Sequence, residues 1–274
     1  MAILDAGPVP PRVPIALLMG ICVVCQAAVV MFLPSMPSMQ TDLNASQGAV
    51  QATLSAFLAA FAGTQIFIGP LSDRLGRRRV LIVGLTLFTL GSVLCTLAPS
   101  VDWLIAARVL QGAGACTGVV MSRAIVRDLA VGPMAARAIA MIASALATAP
   151  AVAPLIGGQV HAWLGWRGNF AVMAVFAAII LVSSIRLLPA TGGGLPRGFF
   201  NGYGELFRNR TFMGYLGGIT FGTATFYSFV GASAPLLIEV LHLPVGAFGL
   251  ITLMWAGAFV VGAQIIARWG GRLG

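Results

Sequence analysis

The stretch Gly69-Pro70-Leu71-Ser72-Asp73-Arg74-Leu75-Gly76-Arg77-Arg78-Arg79 separates two apolar runs, residues 48–68 and 80–98. It places one acid and four arginines close together in a chain of which only 8% is charged. Membrane anchoring by positive charge explains the arginines but neither the acid nor the spaced glycines. Glycine permits sharp turns and close backbone approach, and an acid flanked by arginines can form an ion-pair network. The stretch therefore predicts a polar turn, with a function of its own, between two membrane-spanning helices.

The composition of the whole chain agrees with a membrane protein. Of its 274 residues, 59% are hydrophobic, 7 are acidic and 16 are basic. A soluble domain is about 45–50% apolar and about 25% charged, so these charges are too few to cover a soluble globule. Most of the surface must face lipid, which excludes a cytosolic enzyme.

Eight apolar runs fit the length of the chain, since a spanning helix takes roughly 20 apolar residues. The first run is too long for the apolar core of a signal peptide and lacks a basic leader, so we expect it to be the first span. The predicted runs are about 14–35, 48–68, 80–98, 102–124, 136–160, 169–188, 211–235 and 245–267.

The arginines predict the orientation of these runs. All sixteen basic residues are arginine. If the chain crosses the membrane at every run, fourteen arginines lie on one side, Arg167 lies alone on the other side and Arg108 lies inside a span. Cytoplasmic loops collect arginine, so both ends of the chain are predicted to be cytoplasmic. This distribution accounts for the net charge of +9 without a nucleic-acid partner.

The predicted fold is an all-α polytopic membrane protein with two helical bundles. A segment rich in glycine, proline and arginine between the sixth and seventh runs is typical of a flexible linker. The predicted domains are a cytoplasmic N-terminus at 1–13, a six-helix N-terminal bundle at 14–188, a cytoplasmic linker at 189–210, and the first two helices of a C-terminal bundle at 211–274.

Several motifs resemble those of the major facilitator superfamily. The stretch Gly69–Arg79 resembles its loop signature Gly-x-Leu-x-Asp-Arg-x-Gly-Arg, and Arg108-Val109-Leu110-Gln111-Gly112 resembles its Arg-x-x-Gln-Gly. Ala149–Gly158 resembles the Pro-x-x-Gly-Gly element of its antiporter branches. Leu33-Pro34-Ser35-Met36-Pro37 and Gly165-Trp166-Arg167 look like the bicyclomycin- and chloramphenicol-resistance exporters among the drug:proton antiporters.

The resemblance implies a secondary active transporter of the inner membrane. Two six-helix bundles would rock around a midplane site and export small amphipathic drug-like compounds or metabolites in exchange for protons. The proton gradient would drive transport without a cofactor, and the partners would be substrate, protons and lipid, with no nucleic acid and no obligate protein partner. An importer or metabolite exchanger of the same fold, and a truncated protein that does not transport, are the alternatives.

The end of the chain departs from the resembled family. The chain ends just after its eighth predicted run, and Arg268-Trp269-Gly270-Gly271-Arg272 looks like a second copy of the loop signature without its acid. We therefore expect a fragment or a truncated gene product, in which the fold of the resembled family is incomplete.

Arg108 is the main candidate for a functional residue. It lies about six residues inside the fourth run, roughly 9 Å along the helix axis. A guanidinium at the centre of a span costs about 2.5–3.5 kcal/mol, so it needs partners, and Gln111 lies on the same helix face. The alternative is an arginine that snorkels to the membrane surface. The resemblance implies that Arg108 faces the central cavity, and the predicted substrate or coupling residues are Arg108, Gln111 and Gln26.

Two further groups of site residues are predicted. Pro150 and Pro154 each remove a backbone donor and bend the fifth helix, whereas Gly157 and Gly158 permit tight contact with a neighbour; ordinary kinked packing is the alternative. The resemblance implies that this antiporter helix seals the inactive face. The predicted cytoplasmic gate, in which Asp73 switches through Arg77, comprises Gly69, Asp73, Arg74, Gly76, Arg77 and Asp128.

The positions of the acidic residues predict which charge class of substrate the protein would bind. Many members of the resembled branch carry an acid in the first helix, where this chain has Val29 and Val30, and no carboxylate lies deep in a predicted span. A buried cation needs a countercharge, so neutral or anionic amphiphiles are favoured. Polar side chains that could orient them are Gln26, Gln111, Thr223 and Tyr227. The spans contain no paired carboxylates, metal-ligand set or nucleophile motif, so no catalytic or metal site is predicted.

Overall fold

A computed structural model describes residues 14–129, 133–189, 203–241 and Met254. Each helix follows one apolar run or lies in a connection between two runs, except α6, which covers two runs. The helices are α1 (Ile15–Val30), α2 (Met36–Asp42), α3 (Gln47–Leu75), α4 (Arg77–Thr96), α5 (Val101–Leu129), α6 (Pro133–Leu187), α7 (Tyr203–Arg208) and α8 (Arg210–Pro235). A single 3-10 turn at Leu33–Ser35 joins α1 to α2, and a π turn at Leu236–Val240 follows α8.

The predicted all-α membrane architecture is confirmed within the described residues. Five helical stretches there are long and apolar enough to cross a membrane, namely Ile15–Asp42, Gln47–Leu75, Arg77–Thr96, Val101–Leu129 and Val152–Leu187. Helix α8 has the predicted position and length but is less apolar, because it contains five glycines and four threonines. The predicted N-terminus at 1–13, residues 190–202 of the predicted linker and all of the eighth run at 245–267 except Met254 lie outside the described residues.

Helix α6 comprises two limbs that correspond to the fifth and sixth predicted runs. The limbs meet at Gly165, whose φ of 69° and ψ of −176° interrupt the helical backbone. Only glycine adopts this conformation readily, so Gly165 sets the reversal between the two runs. The first limb remains helical through Pro150 and Pro154.

Helix α5 forms the centre of the bundle and packs against α4, α3 and α1. Glycines on α5 bring its backbone close to its neighbours. A Cβ atom at Gly114 would clash with the backbones of Phe88 and Gly84 on α4, and one at Gly118 would lie 2.6 Å from Cys25 Sγ on α1. Small residues at helix contacts are the usual device for tight packing in a membrane.

The bundle has two polar ends. The arginine-rich end contains the turn between α3 and α4, and the ends of α5 and α6 meet it there through Asp128 and Ile185. At the opposite end, which we call the Asp42 end, Arg167 contacts the end of α2 and the turn between α4 and α5. Arg167, the one arginine at the Asp42 end among the described residues, therefore lies among three connections: α2, the turn between α4 and α5, and the reversal at Gly165.

Candidate functional site

The side chain of Arg108 joins three helices inside the bundle. Its Nη1 donates to Ala28 O on α1 at 2.9 Å and to Gln111 Oε1 on its own helix at 2.6 Å. Its Nε donates to Thr53 O on α3 at 3.5 Å. The guanidinium therefore contacts the backbones of α1 and α3 at the same time and holds both helices near α5.

Aromatic rings enclose the same guanidinium. Arg108 Cζ lies 4.2 Å from the ring centroid of Phe57, 4.5 Å from that of Phe32 and 5.8 Å from that of Phe170. Aromatic faces attract a cation most strongly where water is excluded. Arg108 is fully buried, so it does not snorkel to the surface, and in this conformation it also does not line an open cavity. We call Arg108, Gln111, Phe32, Phe57 and Phe170 the Arg108 cluster.

Gln111 and Gly112, the other two defined residues of the Arg-x-x-Gln-Gly motif, each contact a neighbouring helix. Gln111, which accepts from Arg108, donates through Nε2 to Ser92 Oγ on α4 at 2.9 Å. Gly112 lies against the carbonyl of Phe57, where a Cβ atom would clash with the backbone of α3. The Arg-x-x-Gln-Gly pattern therefore binds α1 and α3 through the arginine, binds α4 through the glutamine, and allows close approach to α3 through the glycine.

The charge of Arg108 is not neutralised by a carboxylate. Within the described residues, no carboxylate oxygen lies within ion-pair distance of Arg108, and its Nη2 has no hydrogen-bond partner. The four aspartates among these residues, Asp42, Asp73, Asp102 and Asp128, lie at helix ends and are exposed. Among the residues whose side chains the structure describes, Arg108 is therefore a buried cation held by neutral acceptors and aromatic rings.

Gln26 is separate from the Arg108 cluster. It is half-buried on α1, and its Nε2 donates to the hydroxyl of Tyr227 on α8 at 2.8 Å. The structure thus brings together two of the four polar residues that the sequence singled out for substrate orientation. Gln26 and Tyr227 therefore connect α1 with α8.

At the arginine-rich end, Arg77 joins the turn to α5. Its Nη1 lies 2.5 Å from Asp73 Oδ1 and also donates to Ser72 Oγ, and its Nε donates to Asp128 Oδ2 at 3.0 Å. The side chains of Arg77, Asp73 and Asp128 are 15%, 51% and 39% exposed. The structure therefore places Asp73, Arg77 and Asp128 in one water-accessible network, which we call the Arg77 network.

The other predicted gate residues lie around this network. Gly76 precedes α4 with φ of 90°, which only glycine adopts without strain, so it shapes the turn. A Cβ atom at Gly69 would have no described atom within 4 Å, so no close approach there requires glycine in this conformation. Arg74 is exposed on the last turn of α3. Arg78 Nη2 donates to Ile185 O at 2.6 Å and connects α4 to α6.

The predicted antiporter helix contacts α1 through Gly157. A Cβ atom at Gly157 would clash with the carbonyl of Met31, so α6 and α1 approach each other closely at this point. Gly157 and Pro154 are buried, whereas Pro150 and Gly158 are half-buried. The predicted tight contact of this element with a neighbour is therefore confirmed at Gly157.

Sequence reasoning missed the polar contacts of the Asp42 end. Asp42 Oδ2 accepts from Trp166 Nε1 at 2.9 Å and from Arg167 Nη1 at 3.2 Å, and Arg167 Nη2 donates to Ala98 O at 3.1 Å. Asn169 Nδ2 donates to Ser35 Oγ at 2.9 Å. The motifs Leu33–Pro37 and Gly165–Arg167 could have indicated these contacts, because residues within or near the two motifs contact each other here.

Sequence reasoning also missed Ser92 and the three phenylalanines of the Arg108 cluster. Phe32 lies in the turn after α1, Phe57 lies on α3, and Phe170 lies on the second limb of α6. Their contact with Arg108 depends on how separate segments pack. A residue spacing within one segment does not indicate such a contact.

Comparisons with known proteins agree with the motifs. A sequence profile described as "Major Facilitator Superfamily" matches residues 17–274. The chain is 31% identical over 273 residues to "Uncharacterized MFS-type transporter YdgK" of Bacillus subtilis (strain 168), covering 95% of this chain and 67% of that protein. It is 33% identical over 245 residues to "Multidrug resistance protein D" of Escherichia coli (strain K12), covering 89% and 62%.

The fold is similar to that of a solved transporter. The structure of a bacterial homolog to human lysosomal transporter Spinster, in an inward-facing and unoccupied conformation, matches with a TM-score of 0.75 at 20% identity. This match covers 94% of the present chain and 62% of the Spinster homolog. The chain thus spans roughly two thirds of the length of each of these proteins.

Proposed function

Because the chain belongs to the major facilitator superfamily, a family of membrane transporters and not of enzymes, we propose that it exports small amphipathic compounds in exchange for protons. Transport would proceed by alternating access in the inner membrane, with the arginine-rich end and both chain ends in the cytoplasm. The proton gradient would drive the exchange, with no cofactor. Small molecules and protons would be its partners.

The proposal of export rests on the similarity to a multidrug resistance protein together with the Pro-x-x-Gly-Gly element. Multidrug resistance protein D is 33% identical over most of the chain. The contact between Gly157 and the Met31 carbonyl supports a sealing role for the antiporter helix, since this contact excludes any side chain between α6 and α1. An importer would not need this element, and we therefore favour export.

We assign Arg108 and Gln111 to coupling and Gln26 to the substrate path. Arg108 and Gln111 are fully buried and hold α1, α3 and α4 together. Movement of one of these helices would therefore move the others. Gln26 is half-buried on the side of α1 that meets α8. A substrate between the two bundles would encounter Gln26 first.

The buried positive charge of Arg108 favours neutral or anionic substrates. A cation would enter an interior whose described residues offer no carboxylate, and an unpaired buried charge is costly. An anionic or neutral amphiphile would not face this repulsion. We therefore expect selectivity by charge sign more than by molecular shape.

We assign the Arg77 network to the cytoplasmic gate. It connects the turn after α3 to the end of α5 through ion pairs that water reaches. Exposed ion pairs contribute about 0–1 kcal/mol each, so they can break and re-form during a transport cycle. Gly69, Arg74 and Gly76 would allow the turn to adjust.

Vesicles of known orientation test the function. The full-length natural protein is reconstituted, an acid interior is imposed on inside-out vesicles, and uptake of a fluorescent anionic amphiphile is compared with that of a cationic analogue. We expect uptake of the anion that stops when a protonophore removes the gradient. Accumulation in right-side-out vesicles would indicate an importer, and no gradient-dependent movement in either orientation would contradict transport.

A further inference from the structure

The second limb of α6 lies along the connection between α1 and α2. Three side-chain contacts join the two segments. From the interior outward, they are Phe32–Phe170, Ser35–Asn169 and Asp42–Trp166. Residue numbers rise along one segment and fall along the other, so the segments run antiparallel. The contacts therefore form one line that leads from the Asp42 end into the bundle.

Exposure falls steeply along this line. The side chain of Asp42 is 52% exposed, whereas Trp166 and Phe170 are each 2% exposed. The Phe170 ring centroid lies 5.8 Å from Cζ of the fully buried Arg108. Two aromatic rings therefore connect a carboxylate that water reaches with a guanidinium that water does not reach.

The Trp166 ring is held on its edge and on its face. Its Nε1 donates to Asp42 Oδ2 at 2.9 Å, and Arg167 Cζ lies 4.2 Å from the ring centroid. Trp166 contacts Phe170 with ring centroids 6.2 Å apart and an angle of 85° between the rings. Edge-to-face pairs of this kind have a preferred geometry, so the orientation of Trp166 influences that of Phe170.

Phe170 and Phe32 both contact Arg108 and also contact each other. Their ring centroids lie 5.8 Å apart, and that of Phe32 lies 4.5 Å from Arg108 Cζ. The attraction between a cation and an aromatic ring depends on the position of the cation over the ring face. A displaced Phe170 would therefore disturb two of the three rings of the Arg108 cluster.

We infer that Asp42 and Trp166 are positioning residues for Arg108. Asp42 fixes the Trp166 ring at the surface of the bundle, Trp166 fixes Phe170, and Phe170 helps to hold the guanidinium in the orientation that reaches α1 and α3. The inference rests on the proposed function for the statement that Arg108 takes part in coupling. A movement at the Asp42 end would then change the surroundings of Arg108 without touching it.

Three variants separate the hydrogen bond of Asp42 from its charge. Asp42→Ala removes both, whereas Asp42→Asn keeps an oxygen acceptor for Trp166 Nε1 and loses only the exposed ion pair with Arg167, which contributes little. Trp166→Phe keeps an aromatic ring and removes the donor. The controls are Trp163→Phe, because Trp163 is 79% exposed near the same reversal, and Asp102→Ala, in the first turn of α5.

The resonance of the Arg108 Nε–Hε group tests the positioning without a transport assay. The full-length natural protein is labelled with 15N-arginine and studied in detergent micelles, and the Arg108 signal is identified by its loss in Arg108→Lys. Aromatic rings shift the resonances of nearby protons, so this signal reports on the rings around the guanidinium. We expect Asp42→Ala and Trp166→Phe to move it in the same direction, and Asp42→Asn and both controls to leave it in place.

The initial rate of proton-driven export in vesicles gives the second measurement. We expect Asp42→Ala and Trp166→Phe to lower this rate about two- to tenfold, the range for one lost hydrogen bond. Asp42→Asn should restore a near-natural rate, and the two controls should export normally. Asp42→Ala combined with Trp166→Phe should lose no more than Trp166→Phe alone, because both substitutions remove the same hydrogen bond.

Three outcomes would overturn the positioning role. An Arg108 signal unchanged in both Asp42→Ala and Trp166→Phe would show that the rings do not depend on Asp42. Equal effects of Asp42→Asn and Asp42→Ala would assign the role to charge and not to the bond with Trp166. A shifted signal with export at the natural rate would remove these residues from coupling. Should Trp166→Phe fail to fold, an unchanged signal in Asp42→Ala alone would reject the inference.

Failure of the proposed function gives a different result. If the natural protein moves no substrate in response to a proton gradient, the export proposal is contradicted. The Arg108 signal would still shift in Asp42→Ala and return in Asp42→Asn if the positioning is correct. The two measurements therefore test the two proposals separately.

Discussion

Arg108 and Arg77 each connect several helices, but they do so in opposite environments. Arg108 is fully buried, binds neutral acceptors and lies against aromatic rings. Arg77 lies at a bundle end and binds two exposed carboxylates. A buried charge without water cannot easily exchange its partners, whereas an exposed ion pair is weak and reversible. This contrast indicates that the Arg108 cluster fixes the bundle and that the Arg77 network adjusts during transport.

Removing the buried arginine should have the largest effect. In Arg108→Leu, Gln111 Oε1 and Ala28 O lose their donor, and each unsatisfied buried acceptor costs about 1–3 kcal/mol, offset in part because no charge remains to be desolvated. We expect the free energy of unfolding to fall by about 2 kcal/mol, measured by denaturant titration in detergent. Arg127→Leu, on the exposed end of the same helix, is the control and should change stability little.

A substitution next to the Arg108 cluster, at the contact between α6 and α1, should also lower stability. Gly157→Ala places a Cβ atom against the carbonyl of Met31, next to Phe32, whose ring lies over Arg108. Overpacking of this kind costs typically about 1–3 kcal/mol, so we expect a lower unfolding temperature. Gly63→Ala, which enters open space on α3, should leave it unchanged. Equal unfolding temperatures for both variants would show that α1 and α6 can separate freely at Gly157.

The smallest effect on stability is expected in the Arg77 network. Asp73→Asn removes one exposed ion pair but leaves Asp128 in contact with Arg77, so unfolding should change by less than about 1 kcal/mol. Transport rate and conformational exchange should change instead, and should depend on ionic strength, because exposed charges are screened by salt. Spin-label distances at the arginine-rich end measure this. Unchanged exchange and transport would contradict the gate assignment.

The sequence predicted the features that depend on single helices. The apolar runs predicted α1, α3, α4, α5, the two limbs of α6 and α8, because hydrocarbon requires long apolar segments. The short helix α2 lies in a connection that no run predicted. The motif around Arg108 predicted an arginine inside a span with Gln111 on the same helix face. Asp73, Arg77 and Asp128 were predicted to act together, and both carboxylates contact Arg77.

Features that depend on how separate helices meet were not predictable. Phe32, Phe57 and Phe170 enclose Arg108 from different segments, and Trp166 reaches Asp42 across 124 residues. The three rings that enclose the guanidinium of Arg108 come from separate segments, so the motif around Arg108 gave no sign of them. Gly69, expected to allow a close approach, has open space around it.

The rate of proton-driven export by the Arg108→Lys variant tests the coupling role of Arg108 most directly. Lysine keeps the positive charge, but its single ammonium cannot reproduce the planar set of donors that reaches Ala28, Thr53 and Gln111 together. We predict a loss of about tenfold or more in initial rate, with folding retained, and a near-normal rate for Arg127→Lys. An Arg108→Lys protein that exports at the natural rate would contradict this role.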